Sequence, residues 1–540
     1  MTRPGPLSPG PGTFATEAPV NLRDPSLLLS LFVPALIGLY LFLTSTSYLV
    51  PGIWPYDAKR ILQFGLLLIL FLVPALDGRI RDEFGRLLAS VPTWLKASLL
   101  CVPGWGVVSA LYNARSVMHG LNSLSEVALL SSLVLGIFVV AACRRIAGRW
   151  FDRIAITMIA LTGLAVGLQD LIGVAAAHFE GFDFNFYTTL IYFSWPRFYN
   201  QVQSWMVPAL AALPLLFVRY RLAKIVCLIV LGLQWYIILS SGARGTFISI
   251  IAALVFVLIL LPAVRLHMLK WQASGFILGA LVFSLVLFSF EAGGQAAATG
   301  PEPEPNPRAL IRGADNWAGD VELSSGKSSF FMQSVGRPMA HSSGRNWMWS
   351  VTLHDARSNP LLGIGPMNYV CTSPRRIGHP HNFPLQLAAE WGIPVALAVC
   401  VIFLFLLYRI SQCIRQNEFG RPEDTVLAGQ LFTGALAAAL YACLSGVMVM
   451  PASQVTGLLL CGMLLGLYPS ASGDEPAPAL RWVFIPGLLV AVSLLGLGVH
   501  ELKTMKDRES RMLPMEIGIP RIWQQAKVCR QYNPRSEVKN

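Results

Sequence analysis

Charge is scarce in this chain. Asp, Glu, Lys and Arg make up 13% of its 540 residues, about half the share of an ordinary soluble domain. That scarcity excludes a normal solvated surface, and the 54% of residues that are hydrophobic run in long unbroken blocks, as bilayer-spanning segments do. Paired cysteines are missing too: nine are present with no C-x-x-C and no Cys/His spacing suited to zinc, so most read as small buried thiols within spans. No D-x-D pair or acidic cluster marks a divalent metal site. Neither a Gly-x-Ser-x-Gly elbow nor a phosphate-binding P-loop occurs. No internal repeat and no two matching halves of the transporter kind are visible.

What is there is an all-α polytopic membrane protein of 12–13 transmembrane helices. The candidate spans are 26–49, 61–76, 93–112, 123–143, 154–177, 201–218, 222–241, 246–263, 274–290, 388–408, 427–449, 454–469 and 482–499. Lys and Arg are retained on the cytoplasmic side during insertion. Arg79, Arg81 and Arg86, then Arg144, Arg145, Arg149 and Arg153, then Arg219, Arg221 and Lys224, then Arg265 and Lys270, then Arg409, Arg415 and Arg421 all fall on one side. The alternate connections carry only Lys59, Arg60, Arg115, Arg197 and Arg244. The N-terminus is therefore inside and the net charge of +12 is mainly a topology signal. It does not point to nucleic acid, because the cations lie in scattered turns and form no stripe interleaved with aromatics.

The expected divisions are a cytoplasmic segment 1–25, with no cleaved signal, helices over 26–290, one large outer loop 291–387, helices over 388–499 and a tail 500–540. Parity puts the tail outside, although Lys503, Lys506, Arg508 and Arg511 favour the inside. With the tail outside, Cys371 and Cys529 share an oxidising compartment and are candidates for a disulfide.

The large loop changes character along its length. Residues 294–326, with Gly300-Pro301-Glu302-Pro303-Glu304-Pro305, read as a linker. Arg345 to Ser358 suits a short amphipathic helix with Trp347, Met348 and Val351 on one face, stopped by Asn359-Pro360. After Leu362-Gly363-Ile364-Gly365-Pro366 the chain returns to the membrane through His379-Pro380-His381-Asn382. Asn382 is placed to cap the returning helix, with Pro384 tolerated in its first turn. A helix N-terminus disfavours an imidazolium, so His381 is expected to be neutral and able to take a proton. That the two histidines only anchor a helix at the interface fits the residues equally well.

Ser241-Gly242-Ala243-Arg244-Gly245-Thr246 combines glycines, free helix N–H groups and a guanidinium, which together make a phosphate site, unless Arg244 only snorkels to headgroups. Arg345, with Trp349 and Thr352 on its helix face, is a second candidate, and Arg197 in Trp195-Pro196-Arg197-Phe198-Tyr199-Asn200 a third. Glu126, Asp170 and Glu390 sit inside spans near their outer ends, which predicts a polar cleft opening outward. Glu390 follows His381 by nine residues, about half a turn out of phase, so Asp170 is the better expected partner for that histidine.

These residues resemble the O-antigen ligase superfamily, whose motif is a His, then Asn/Ser/Gln, nine residues, Gly, two more and a small residue. His381-Asn382, then Phe383 to Trp391, then Gly392-Ile393-Pro394-Val395 match it, with Val395 the weaker fit. The Ser-x-x-Arg-Gly run around Arg244, and Arg345-Asn346-Trp347-Met348-Trp349 leading to Pro360-Leu361-Leu362-Gly363-Ile364-Gly365, match as well, so the resemblance spans residues 180–470. It implies an all-helical C-type glycosyltransferase of the bacterial inner membrane, inverting and metal-independent, without a cofactor, its site facing the periplasm. The implied donor is a glycan on undecaprenyl pyrophosphate, and the implied acceptor is lipid A-core, which would make the chain an O-antigen ligase of lipopolysaccharide biosynthesis. Other members extend the polysaccharide itself or glycosylate proteins, and the acceptor is not legible in these residues.

By the resemblance His381, Arg244 and Arg345 are the catalytic residues. Arg197, Asn200, Asn382, His379 and Asp170 are expected to bind substrate. A glycan transporter or flippase is the non-enzyme alternative; it predicts inverted repeats and charges near the bilayer midplane, whereas the charges here cluster at outer ends.

Overall fold

The computed structural model describes residues 23–47, 55–180, 196–297, 345–372, 378–469 and 478–509, with residues 49, 53, 190, 192 and 193. Every element among them is helical. In chain order these are α1 (Pro25–Thr46), α2 (Pro55–Leu76), α3 (Gly78–Ser90), α4 (Thr93–Tyr112), α5 (Val117–Ala147), α6 (Arg149–Phe179), α7 (Pro196–Leu210), α8 (Leu213–Leu216), α9 (Arg221–Ser240), α10 (Arg244–Leu260) and α11 (Pro262–Ala297). The second part holds α12 (Arg345–Ser358), α13 (Tyr369–Thr372), α14 (Phe383–Glu390), α15 (Ile393–Arg415), α16 (Pro422–Ala442), α17 (Pro451–Leu467), a 3-10 turn (Pro478–Trp482) and α18 (Phe484–Glu509). Ten helical segments are long and apolar enough to cross a membrane, and α10 and α17 are shorter apolar helices. The chain is an all-α multi-pass membrane protein.

Hydropathy alone misjudged four places. The span expected at 201–218 is a 15-residue helix, α7, followed by the single turn α8. Pro208 and Pro214 interrupt the ladder there, and α7 turns Asn200, Gln201, Gln203 and Ser204 inward, all buried. The connection at 78–90 is the helix α3, capped by Asp77 accepting from the Ile80 N–H, with Ile80, Phe84, Leu87 and Leu88 buried. Its charged face hides it from an apolar scan. Helix α11 continues to Ala297, past the expected start of the loop at 291. The span expected at 388–408 is instead broken between α14 and α15, at Trp391-Gly392. Most of the expected 294–326 linker, Cys529 and the tail from 510 lie outside the described residues, and so do Arg511 and the disulfide expected with Cys371.

Antiparallel helices bring the cationic turns to one end of the bundle, where they find partners. Arg144 pairs with Asp152 at 2.9 Å, Arg145 with Glu83 at 3.0 Å and Arg149 with Glu423 at 3.1 Å. His381 belongs to the opposite end.

The core is closed by small residues, which let helices approach in the absence of a hydrophobic drive between them. A Cβ on Gly279 of α11 would stand 2.6 Å from the Gly232 carbonyl oxygen of α9 and 2.6 Å from Trp235 Cβ. Backbone cannot give way as a flexible side chain can. Gly279→Leu is therefore expected to cost at least about 1–3 kcal/mol, read as a lower thermal midpoint of the purified protein. Gly104→Ala, where an added Cβ meets nothing within 4 Å, is expected to be neutral or slightly stabilising; equal midpoints for the two variants would contradict this packing.

Candidate active site

The last part of the large loop is fastened to the break between α14 and α15 by main-chain hydrogen bonds. Ile393 N–H donates to the Pro360 carbonyl at 2.8 Å, Ile364 N–H to Ala389 at 2.8 Å and Gly365 N–H to Glu390 at 2.9 Å. Gly392 has φ +94°, and its missing Cβ would collide with the Leu361 carbonyl oxygen. Gly363, at φ +66°, would strike the Glu390 carbonyl in the same way. Both glycines answer a left-handed backbone and a close approach at once. The Glu390 carboxylate, fully buried, accepts from Tyr369 N–H at 3.0 Å and from Gln386 Nε2 at 3.3 Å, so it secures this joint. From α4, Trp105 Nε1 donates to Leu361 O at 3.1 Å, Asn113 Nδ2 to Gly363 O at 3.3 Å and Ser109 Oγ to Leu362 O.

The joint positions α12, which packs on α14. The buried stripe of α12 is Met348, Thr352 and Ala356, at four-residue spacing. The face expected from Trp347, Met348 and Val351 is thus corrected: Trp347 is exposed, because the helix meets α14 and the 378–382 segment through the side that also carries Arg345 and Trp349. Trp349 Nε1 donates to the Pro380 carbonyl at 3.0 Å.

Within His379-Pro380-His381-Asn382, His381 has φ +56°, a left-handed conformation that costs a non-glycine residue about 1–3 kcal/mol and persists only where its surroundings impose it. The buried His379 accepts the His381 N–H through Nδ1 at 3.2 Å, and the two rings stand 4.3 Å apart at 72°. Gly446, in the turn between α16 and α17, leaves room for the His379 ring, since a Cβ there would lie 2.6 Å from it. His379 is accordingly a positioning residue for His381. Asn382 caps α14, its Oδ1 accepting from Leu385 N–H at 3.0 Å.

Partial exclusion from water and the charges of Arg345 and Arg197 pull the His381 imidazole down from 6.5 to about 3. Its neutrality therefore comes mainly from burial and two guanidinium groups, in addition to any effect of the helix end. Burial and Arg197 also lower Arg345, which Tyr441 offsets. Two cations are held together here around a neutral base. Arg244 opens α10 after a turn with Gly242 at φ +57°, and the adjacent Gly245 backs onto Tyr441, whose Cε2 would lie 2.8 Å from an added Cβ. Tyr441 thus touches the Arg244 turn and faces Arg345. It lies at the end of α16, where the sequence offers only one more interfacial aromatic.

Two expected substrate contacts are repositioned. Asn200 is fully buried, its Nδ2 donating to Gln203 at 2.8 Å and to Ser241 Oγ at 3.1 Å, so it ties α7 to the Arg244 turn without surface for a ligand. Asp170 is fully buried beside Tyr199 and Tyr236; it is not the expected partner of His381, whose ring is influenced by Arg345 and Arg197. Of the three carboxylates within spans, Glu126 lines a small cleft with Arg60 and Gln454, while Asp170 and Glu390 are fully buried.

Two outcomes follow. Gly392→Ala should collapse the joint and remove function with it, seen as new proteolytic cleavage near residue 361; unchanged protection would refute the joint's role. Carbethoxylation of His381, which needs neutral imidazole, should persist undiminished to about pH 5, and Arg345→Met should move its midpoint upward. An ordinary midpoint near 6.5 in the unaltered protein would contradict this electrostatic account.

Residues 227–400 match the family model described as O-Antigen ligase. No curated protein matches the chain.

Proposed function

We propose, from the match of residues 227–400 to the family model described as O-Antigen ligase, that the chain transfers a glycan from undecaprenyl pyrophosphate to an acceptor hydroxyl on the periplasmic side of the inner membrane, joining O-antigen to lipid A-core. The observation that carries the reading is a His381 imidazole in a left-handed backbone turn, held neutral by burial and by the nearby charges of Arg345 and Arg197.

In this proposal the acceptor hydroxyl oxygen attacks C1 of the sugar and its proton passes to the free ring nitrogen of His381. The C1–O bond to pyrophosphate breaks with inversion, and its electron pair leaves on the diphosphate, which Arg345, Arg244 and Arg197 stabilise. The same arginines that lower His381 hold an anion when donor is bound, so binding raises the basicity of the imidazole at the moment it is needed. His379, Asn382 and Asn200 set the geometry of the base and of the Arg244 turn. Pyrophosphate is already a good leaving group, and the mechanism assigned to these residues needs no metal.

The acceptor decides between a ligase, a polymerase and a protein transferase. Deleting the gene and separating lipopolysaccharide by electrophoresis should leave intact core without polymer, with polymer accumulating on undecaprenyl pyrophosphate. Core bearing a single repeat would make the enzyme a polymerase, and an unchanged ladder with a lighter glycoprotein would make it a protein transferase. In the complemented strain His381→Ala should lower transfer by about 10²–10⁴-fold while the protein still reaches the membrane; full activity would remove the general base from the proposal.

A further inference from the structure

One histidine that no sequence motif marks sits where the large loop meets the helix bundle. His119 lies in the first turn of α5, at the same end of the bundle as His381, and Ser116 Oγ caps that turn by accepting the His119 N–H at 3.2 Å. The ring reaches across 249 positions of sequence to Asn368, with Nε2 2.5 Å from Asn368 Oδ1. Nδ1 accepts the Arg115 N–H at 3.2 Å, so the ring proton belongs on Nε2, which donates to Asn368. Asn368 is buried and its own orientation agrees: Nδ2 donates to the Ile364 carbonyl at 2.6 Å, which leaves Oδ1 to accept. Each assignment requires the other.

The bond lands on a segment that needs holding. Gly363, Gly365 and Met367 alternate in the left-handed region, at φ +66°, +95° and +70°. Met367 is a buried non-glycine residue in that region, where a conformation persists only if its surroundings impose it. On one side the segment is tied to α14: Ile364 and Gly365 donate their main-chain N–H groups to Ala389 and Glu390, and the Glu390 carboxylate accepts from Tyr369 N–H. On the other side Asn113 Nδ2 reaches the Gly363 carbonyl at 3.3 Å and His119 reaches Asn368. Gly365 permits the closeness, since a Cβ there would stand 2.6 Å from Asn368 Nδ2 and 2.8 Å from Asn113 Cβ. Ile364 therefore carries both restraints, its carbonyl held through Asn368 by α5 and its N–H bound to α14. His381 stands directly before Asn382, the N-cap of α14.

We propose that His119 is a positioning residue for His381: its Nε2–H clasps Asn368 and, through Ile364, fixes where α14 holds the base relative to Arg345. The kinetic consequence rests on the transfer reaction assigned to His381; the clasp itself does not.

The test compares three substitutions at position 119 by hydrogen exchange over residues 361–369 of the purified full chain, and by transfer kinetics with lipid-linked donor extracted from the deletion strain. His119→Leu should speed exchange of that segment about threefold or more and lower kcat by about 10–10²-fold, with KM for donor unchanged. His119→Gln, whose Nε2 can still donate to Asn368, should restore both. His119→Asn, which can accept from Arg115 but is too short to reach Asn368, should behave as His119→Leu. The opposite order, with His119→Asn normal and His119→Gln defective, would make the ring a local cap of α5 and overturn the proposal, as would unchanged exchange in all three. Asn368→Ala attacks the clasp from its other side and decides the matter if His119→Leu does not fold: its loss should not deepen when it is combined with His119→Asn, and additive losses overturn the proposal. Exchange is read without substrate, so normal transfer by His381→Ala would remove the general base and leave the clasp standing, whereas unchanged exchange would remove the clasp and leave the base.

Discussion

The active end of this protein depends on a short piece of main-chain pairing, residues 360–365 against 389–393. It is the point at which a long polar excursion is made part of a helix bundle. Hydrophobic burial alone does not accomplish this, because Gly363 and Gly365 leave the 360–365 segment few side chains to bury. Backbone hydrogen bonds can, once two glycines remove the Cβ atoms that would keep the chains apart. The carboxylate of Glu390, buried where an unsatisfied anion would be intolerable, accepts the N–H of Tyr369. Both α12 and α14 end at this joint and pack on each other, so Arg345 and His381, near their far ends, are brought together by elements anchored at one place.

Electrostatics divide the bundle into two unlike ends. At one end arginines face acids: Arg144 with Asp152, Arg145 with Glu83, Arg149 with Glu423. At the other, Arg345 and Arg197 stand near each other and depress a histidine, while Lys59 lies against an aromatic ring. Cations that repel one another and are kept together by packing represent stored affinity for an anion. His381 among them is held neutral by burial and by these guanidinium groups.

Much of this was legible in the sequence. Twenty-residue apolar blocks announce membrane helices because the bilayer sets their length, and α12 was readable from its amphipathic spacing and its Asn359-Pro360 stop. The His381 motif was readable down to its glycine, although the physical reason for Gly392, the Leu361 carbonyl, lies thirty-one residues earlier in the chain. Less legible were the partners of buried polar groups. Asp170 looked like a ligand contact because its outer-end position suggested a cleft, and Asn200 because it belongs to the run around Arg197, yet one faces tyrosines and the other braces a turn. Tyr441 escaped notice since an aromatic at a helix end is the commonest residue of an interface.

By itself, then, the sequence determined the all-helical membrane architecture, the alternation of basic turns and the residue types from which a phosphate site and a base are proposed. These are local or compositional properties, governed by transfer free energy and helix periodicity. Tertiary structure alone decided which face of α12 is buried, that Glu390 latches the joint, that the His379 ring accepts the main-chain N–H of His381, and that Lys59 turns inward. Each of those depends on contacts between segments tens to hundreds of residues apart, where a hydrogen bond or a missing Cβ selects one packing from many that the same apolar pattern allows.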